Sequence, residues 1–297
     1  MPERLPIGLV GVGLMGRAFA ERLLAAGFAV LGFDVDREKA DWLKAKGGRT
    51  AASAGALVAE ADPILIAVFS TDQVEEVVDQ EIVPALAPGV TRTVVCTSTC
   101  DPDRLAALGA RSSGQGLRFL EVPVSGTSEQ VRRGDGVALI GGEPTIAAEL
   151  APVLDALFAA RFHIGRIGDG SRAKLAVNLI LGLNRLALAE GLVFAERLGL
   201  DPKKFLEVAR GSAAYSQVMD TKGGKMVRGD FAAEGRVRQT LKDVRLMIEQ
   251  ARARGQRLPL AEIHEDVLSA CVTRGEADLD NSRVVEEIRR RRDVAGE

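Results

Sequence analysis

Residues 7–34, IGLVGVGLMGRAFAERLLAAGFAVLGFD, leave the chain little choice of local structure. The run IGLV is apolar without alternation, as in a strand covered on both faces. It ends in a turn spaced G-x-G-x-x-G through Gly11, Gly13 and Gly16, and a helical pattern follows directly, up to Gly27. A second short β-type run then closes on Asp34. Strand, glycine turn, helix and strand in that order make a mononucleotide-binding unit. The first glycine permits the tight turn, the second lets a pyrophosphate approach the backbone, and the third lets the helix pack closely. Asp34 stands where a carboxylate accepts hydrogen bonds from the adenosine ribose hydroxyls and repels a 2′-phosphate, so NAD is the expected cofactor, with NADP as the alternative. Arg37 is near enough to partner a phosphate, although a solvated arginine at a helix start is the commoner role.

The alternation continues through PILIAVF, TVVCTS, LRFLEVPVS, GVALIGG and FHIGRIG, each separated by helix-like stretches, which predicts a mainly parallel sheet with crossover helices. After Gly170 no β-rich run returns, and the apolar spacing becomes helical from SRAKL onward. Ala173, Val177, Ile180, Asn184, Ala187 and Gly191 fall near one stripe of a helix approaching thirty residues, with Gly199 as its C-cap. Asp201 and Pro202 then restart a helix. The chain of 297 residues is long enough for two domains. The expected fold is an α/β Rossmann-type N-terminal domain with a mainly parallel sheet over 1–166, followed over 167–297 by a long interdomain helix and an all-α C-terminal domain.

Acidic and basic residues are mixed throughout and the formal charge is −2, so neither a nucleic acid nor an anionic membrane surface is an expected partner. The run RRRR at 289–292 reads as a solvated helix end that complements the helix dipole. The N-terminus lacks a secretory pattern and no window approaches 18 uninterrupted apolar residues, which makes the cytoplasm the expected location. Cys96, Cys100 and Cys271 are too few and scattered for a disulfide framework, and no spacing joins them to His163 or His264 as a zinc site. Free thiols and no metal are expected.

A dinucleotide fold does not by itself name a reaction, so the second half must supply a proton donor or acceptor. The only tyrosine, Tyr215, has Met219 four residues on, which excludes the Tyr-Lys pair of short-chain dehydrogenases. His163 at a strand end and His264 on an amphipathic helix both read as structural. Lys174 lies in GDGSRAKLAVN among apolar neighbours. A lysine at the reference pKa of ~10.4 is almost wholly charged at pH 7 and is a poor base. Desolvation beside Leu175, Val177 and Leu179 would favour the neutral amine.

Taken together, GLVGVGLMG, EVPVSGTSEQVRRGDGVALIGG, GDGSRAKLAVN, LKDVRLM and the segment TSTCDP resemble the β-hydroxyacid dehydrogenase family over nearly the whole chain. The resemblance implies that Lys174 is the catalytic acid/base, with Asn178 one turn later as its neighbour and a substrate contact. It implies that Ser125, Gly126 and Thr127 hold the substrate carboxylate. It also implies a cofactor site built from Gly11, Val12, Gly13, Leu14, Met15, Gly16, Asp34, Phe69, Thr99 and Lys242. The family architecture places the active site between the domains and forms a homodimer or homotetramer through the helical domain. The implied partner is a small hydroxy acid, oxidised to its semialdehyde or keto acid, or formed in reverse. The related imine reductases place Asp or Tyr where Lys174 stands, and a non-catalytic NAD(H)-binding redox sensor is the rival from another class. Four departures surround the substrate region: Thr127 replaces a glycine, Val177 an asparagine, VFST at 68–71 a Leu-Pro turn, and Cys96 a common aspartate.

Overall fold

In the computed structural model, which describes residues 5–292, the chain divides into two units after Lys174, a point inside the helix Asp169–Arg197. The first unit holds β1 (Ile7–Val10), β2 (Val30–Phe33), β3 (Arg49–Thr50), β4 (Ile64–Ile66), β5 (Arg92–Cys96), β6 (Leu117–Glu121), β7 (Val124–Ser125), β8 (Val137–Gly142) and β9 (Ala160–Gly165). They form one sheet in the order β3-β2-β1-β4-β5-β6-β8-β7, with β9 also paired to β8. Pairing is parallel from β3 through β6 and between β8 and β9, while β8 runs antiparallel to β6 and β7. Every residue of β1 and β4 is buried, because crossover helices cover both faces. Leu9, Phe19, Leu23, Leu65 and Leu120 belong to one apolar cluster, and Val10, Ile64, Ile66, Val94 and Leu105 to another. The single tryptophan, Trp42 on the helix Arg37–Ala45, lies under the Arg17 guanidinium at 4.9 Å and the Lys46 ammonium at 5.6 Å. Arg37 is exposed at the start of that helix.

The second unit is helical. Leu186, Ala189, Leu192, Met226, Leu241, Val244, Val267 and Leu268 share its core. Gly199 turns the chain at φ +84, and Asp201 caps the helix Pro202–Arg210 by accepting the Lys204 N–H at 2.8 Å. The stripe through Ile180 and Ala187 lies on the exposed side of the long helix, whose buried side is carried by Leu186, Ala189, Leu192 and Val193. By length and composition this helix is apolar enough to cross a membrane. Its leucines reach that composition by forming one side of a helical core, and its interior holds Lys174 and Arg185, whose Nε and Nη1 are shielded from solvent.

The arginine run at 289–292 is more than a solvated helix end. Arg289 pairs with Glu196 and Glu286, Arg290 with Glu276 and Glu287, and Arg291 with Asp266 and Glu287. Besides the run's own helix, these carboxylates come from two other helices, through Glu196 and Asp266, and from the loop at Glu276, so the run fastens the C-terminal helix to its neighbours. Burial pushes the Glu276 carboxyl up, but the Arg290 and Arg283 guanidiniums outweigh it and hold it at about 2.

Candidate active site

The glycine turn after β1 is shaped by what side chains would strike. Gly11 has φ +92, and a Cβ there would lie 2.5 Å from the Ala67 carbonyl oxygen; one at Gly16 would lie 2.0 Å from the Gly11 oxygen. At Gly13 no atom stands within 4 Å of a Cβ position, so the turn is open there. Gly13 begins the helix Leu14–Ala25 without a side-chain cap, leaving first-turn N–H groups of the kind that bind a pyrophosphate. Asp34 sits just past β2, where its Oδ2 accepts the Val12 N–H at 2.7 Å and its Oδ1 the Asp36 N–H at 2.9 Å. Lys39 Nζ is 3.4 Å from the same Oδ1. The open glycine, uncapped amides and fixed carboxylate suit a dinucleotide.

The segment after β5 is stitched to the end of β4: Thr97 Oγ1 donates to the Ile66 carbonyl and Ser98 Oγ to that of Val68, both at 2.8 Å. Thr99 follows, half-buried, at the carboxyl ends of the parallel strands, where open α/β sheets bind ligands. Phe69 is partly exposed just beyond β4, its N–H donating to Gln73 Oε1 at 2.8 Å.

Ser125 ends β7, and Gly126 adopts φ +142, which favours glycine. Thr127 Oγ1 accepts the Gln130 N–H at 3.2 Å, and Gln130 Oε1 accepts the Thr127 N–H at 2.9 Å. The hydroxyl gained at this departure from the family pattern is thus engaged in a reciprocal cap on the helix Ser128–Arg133.

Lys174 is 6% exposed, against the ordinary preference of lysine for solvent. Asn178, one turn on, donates through Nδ2 to Asp243 Oδ2 at 3.3 Å, and Lys242 Nζ lies 3.0 Å from Asp243 Oδ1. Buried Asp243 therefore links two residues singled out from sequence. It stood beside Lys242 in LKDVRLM, but adjacency to one candidate carried no sign of its bond to Asn178, 65 residues away. Glu121, at the end of β6, was equally unmarked; it is fully buried and accepts N–H groups at the start of the long helix. Burial raises its carboxyl above the ordinary range, and the donors of Ser171, Gly168 and Gly170 oppose that rise.

His163 shares an Nε2 hydrogen bond with the Gly142 carbonyl at 2.8 Å. His264 is pushed down to about 3 by burial and then by the Arg185 charge, so its ring is neutral near pH 7. Among the described residues no group of three or more His, Cys, Asp or Glu is placed to hold a metal.

Fold and turn define an NAD(P)-binding Rossmann protein with a helical second unit. Residues 6–165 match the family model for the NAD binding domain of 6-phosphogluconate dehydrogenase, and residues 168–288 that for NAD-binding of NADP-dependent 3-hydroxyisobutyrate dehydrogenase. The chain is 33% identical over 291 residues to the probable mitochondrial 3-hydroxyisobutyrate dehydrogenase-like 2 of Arabidopsis thaliana, covering 97% of this chain and 95% of that protein. The solved 3-hydroxyisobutyrate dehydrogenase from Salmonella typhimurium superposes with a TM-score of 0.86 at 27% identity, covering 95% of this chain and 99% of that one. The chain belongs to the β-hydroxyacid dehydrogenase family, NAD(P)-dependent oxidoreductases that act on CH–OH groups. An imine reductase from Pseudomonas sp. shares the fold alone, at 17% identity and a TM-score of 0.64 with 96% of this chain and all of that one covered.

Proposed function

We propose that this protein interconverts a small β-hydroxy acid of the 3-hydroxyisobutyrate type and its semialdehyde, with NAD as the preferred cofactor. The observation that carries the reading is a lysine at 6% exposure, one helical turn before an asparagine held by Asp243. When bound, the nicotinamide cofactor supplies the hydride acceptor or donor. Lys174 takes the hydroxyl proton during oxidation and returns it during reduction. Asn178, oriented by Asp243, contacts the substrate hydroxyl, while Ser125, Gly126 and Thr127 hold its carboxylate. Gly11 through Gly16 hold the pyrophosphate, Asp34 the adenosine ribose, and Phe69, Thr99 and Lys242 complete the cofactor site. We place the enzyme in the cytoplasm, and the exposed apolar residues of the long helix support its assembly as a homodimer or homotetramer.

The test is Lys174→Met, which keeps an unbranched chain and removes the titratable amine. Loss of a general acid/base costs typically ~10²–10⁴ in rate. NADH formation from 3-hydroxyisobutyrate, glycerate, tartronate, 4-hydroxybutyrate, threonate and serine ranks the substrates for the parent. With the best of them, Lys174→Met is expected to lose at least a hundredfold in kcat while NADH affinity and melting temperature stay near the parent's. Parental turnover would remove Lys174 from the mechanism.

A further inference from the structure

The long helix begins at Asp169, and a helix start leaves its first N–H groups without intrahelical partners. Here much of that demand is met from a different strand. Glu121 Oε2 accepts the Gly168 N–H at 2.7 Å, and Glu121 Oε1 accepts the Ser171 N–H at 2.6 Å. These donors lie 47 and 50 residues further along the chain. The side chain is 0% exposed, and among the described residues no cation pairs with it, so its charge is answered by backbone donors and the positive end of the helix dipole.

Two glycines clear the space for this contact. A Cβ at Gly141 would stand 2.4 Å from Glu121 Oε2; one at Gly170 would stand 3.1 Å from the same oxygen and 2.6 Å from the Leu139 carbonyl oxygen. The acidic residue at the helix start is engaged elsewhere: Asp169 accepts the Arg166 N–H and pairs with Arg172 on the exposed side. A short polar side chain at the helix start would satisfy amides without burying a charge. Gly168, at φ +99 and with the Pro102 carbonyl oxygen 2.7 Å from its Cβ position, has no room for one.

Glu121 also ends β6, four residues before Ser125, while Ser171 is three residues before Lys174. We infer that Glu121 is a positioning residue of the active site, a buried carboxylate that fixes the start of the Lys174 helix relative to the strand leading into the substrate loop. It touches neither substrate nor cofactor in this role. Its effect is on the distance between the proton-transfer amine and the group that receives the substrate, and an error of ~1 Å there costs on the order of a hundredfold in rate.

The inference rests on Lys174 as the proton-transfer residue, and the experiment separates the two. Glu121→Gln is isosteric, but both oxygens accept N–H groups, so the new amide NH₂ must face a donor. Its kcat is expected to fall at least tenfold, with KM for the hydroxy acid changed less than kcat and the calorimetric Kd for NADH within threefold of the parent. Glu121→Asp keeps the charge with a shorter reach, and its kcat should lie between those of the parent and Glu121→Gln. Parental kcat in Glu121→Gln overturns the inference, as does a loss in which kcat, NADH affinity and melting temperature decline together. If Glu121→Gln does not fold, Glu121→Asp decides by the same criteria, and failure of both to fold assigns the residue to stability alone. Measured in parallel, an inactive Lys174→Met beside a parental Glu121→Gln removes only this inference, whereas an active Lys174→Met removes the reading beneath it.

Discussion

Asp34 serves the fold through its backbone contacts, and in the proposed function it also selects the cofactor. Its two oxygens hold the Val12 and Asp36 amides, so the carboxylate is oriented by the backbone around the cofactor turn. Lys39, with its Nζ 3.4 Å from Oδ1, offsets part of its charge. Asp34→Asn is therefore expected to narrow the preference for NAD by about tenfold or more, measured as the ratio of kcat/KM with the two cofactors. A parent enzyme that prefers NADP would show that Lys39 and Arg37 outweigh the carboxylate. The glycine turn and the Asp34 contact to the Val12 amide were legible in the sequence because both sit in a short motif whose spacing encodes those contacts, and the burial of Lys174 was legible from its apolar neighbours. Glu121 and Asp243 were not, because a buried carboxylate is identified by partners that sequence separation conceals. Thr127 was half legible: its departure from glycine was plain, while the commitment of its hydroxyl to Gln130 required the helix behind it.

Between helices, the contact of Asp169–Arg197 with Pro259–Thr273 sets a pH response. His264 packs 2.7 Å, through Cε1, from the Cβ position of Gly182, and its ring is held neutral down to about 3. The unfolded ring takes up a proton below about 6.5, so folding stability is lost as pH falls from about 6.5 toward 3 and is untouched above that window. One proton corresponds to about 1.4 kcal/mol per pH unit. Urea unfolding of the helical unit at pH 7, 6 and 5 should show this slope for the parent and a flatter one for His264→Leu; equal slopes would place the acid sensitivity elsewhere. Helix boundaries were readable where caps are local, as at Gly199 and Asp201, whereas the pairing of the arginine run with Glu196, Glu276 and Asp266 was not, because those carboxylates come from other elements.

At the scale of the molecule, the change from alternating elements to helix alone after Gly170 carried the architecture, since strand and helix periods differ and the sheet needs crossovers. Surface assembly was less legible, because apolar spacing does not say which side of a helix is covered. Ile180 and Phe194 on the long helix, and Leu198 just past its end, are 62%, 64% and 62% exposed along one line. The double change Ile180→Glu with Phe194→Glu is expected to shift a sedimenting dimer or tetramer toward the monomer at micromolar protein. A parent that sediments as a monomer would refute that use of the surface.

The aromatic composition gives each unit its own optical label. Trp42, under two cations, is the only tryptophan and belongs to the nucleotide-binding unit; Tyr215, whose hydroxyl donates to Asp220 at 2.7 Å, is the only tyrosine and belongs to the helical one. Indole emission excited at the red edge and phenol absorbance therefore follow the melting of two different bodies in one cuvette. Two transitions that separate in denaturant would assign a stability to each unit without cutting the chain.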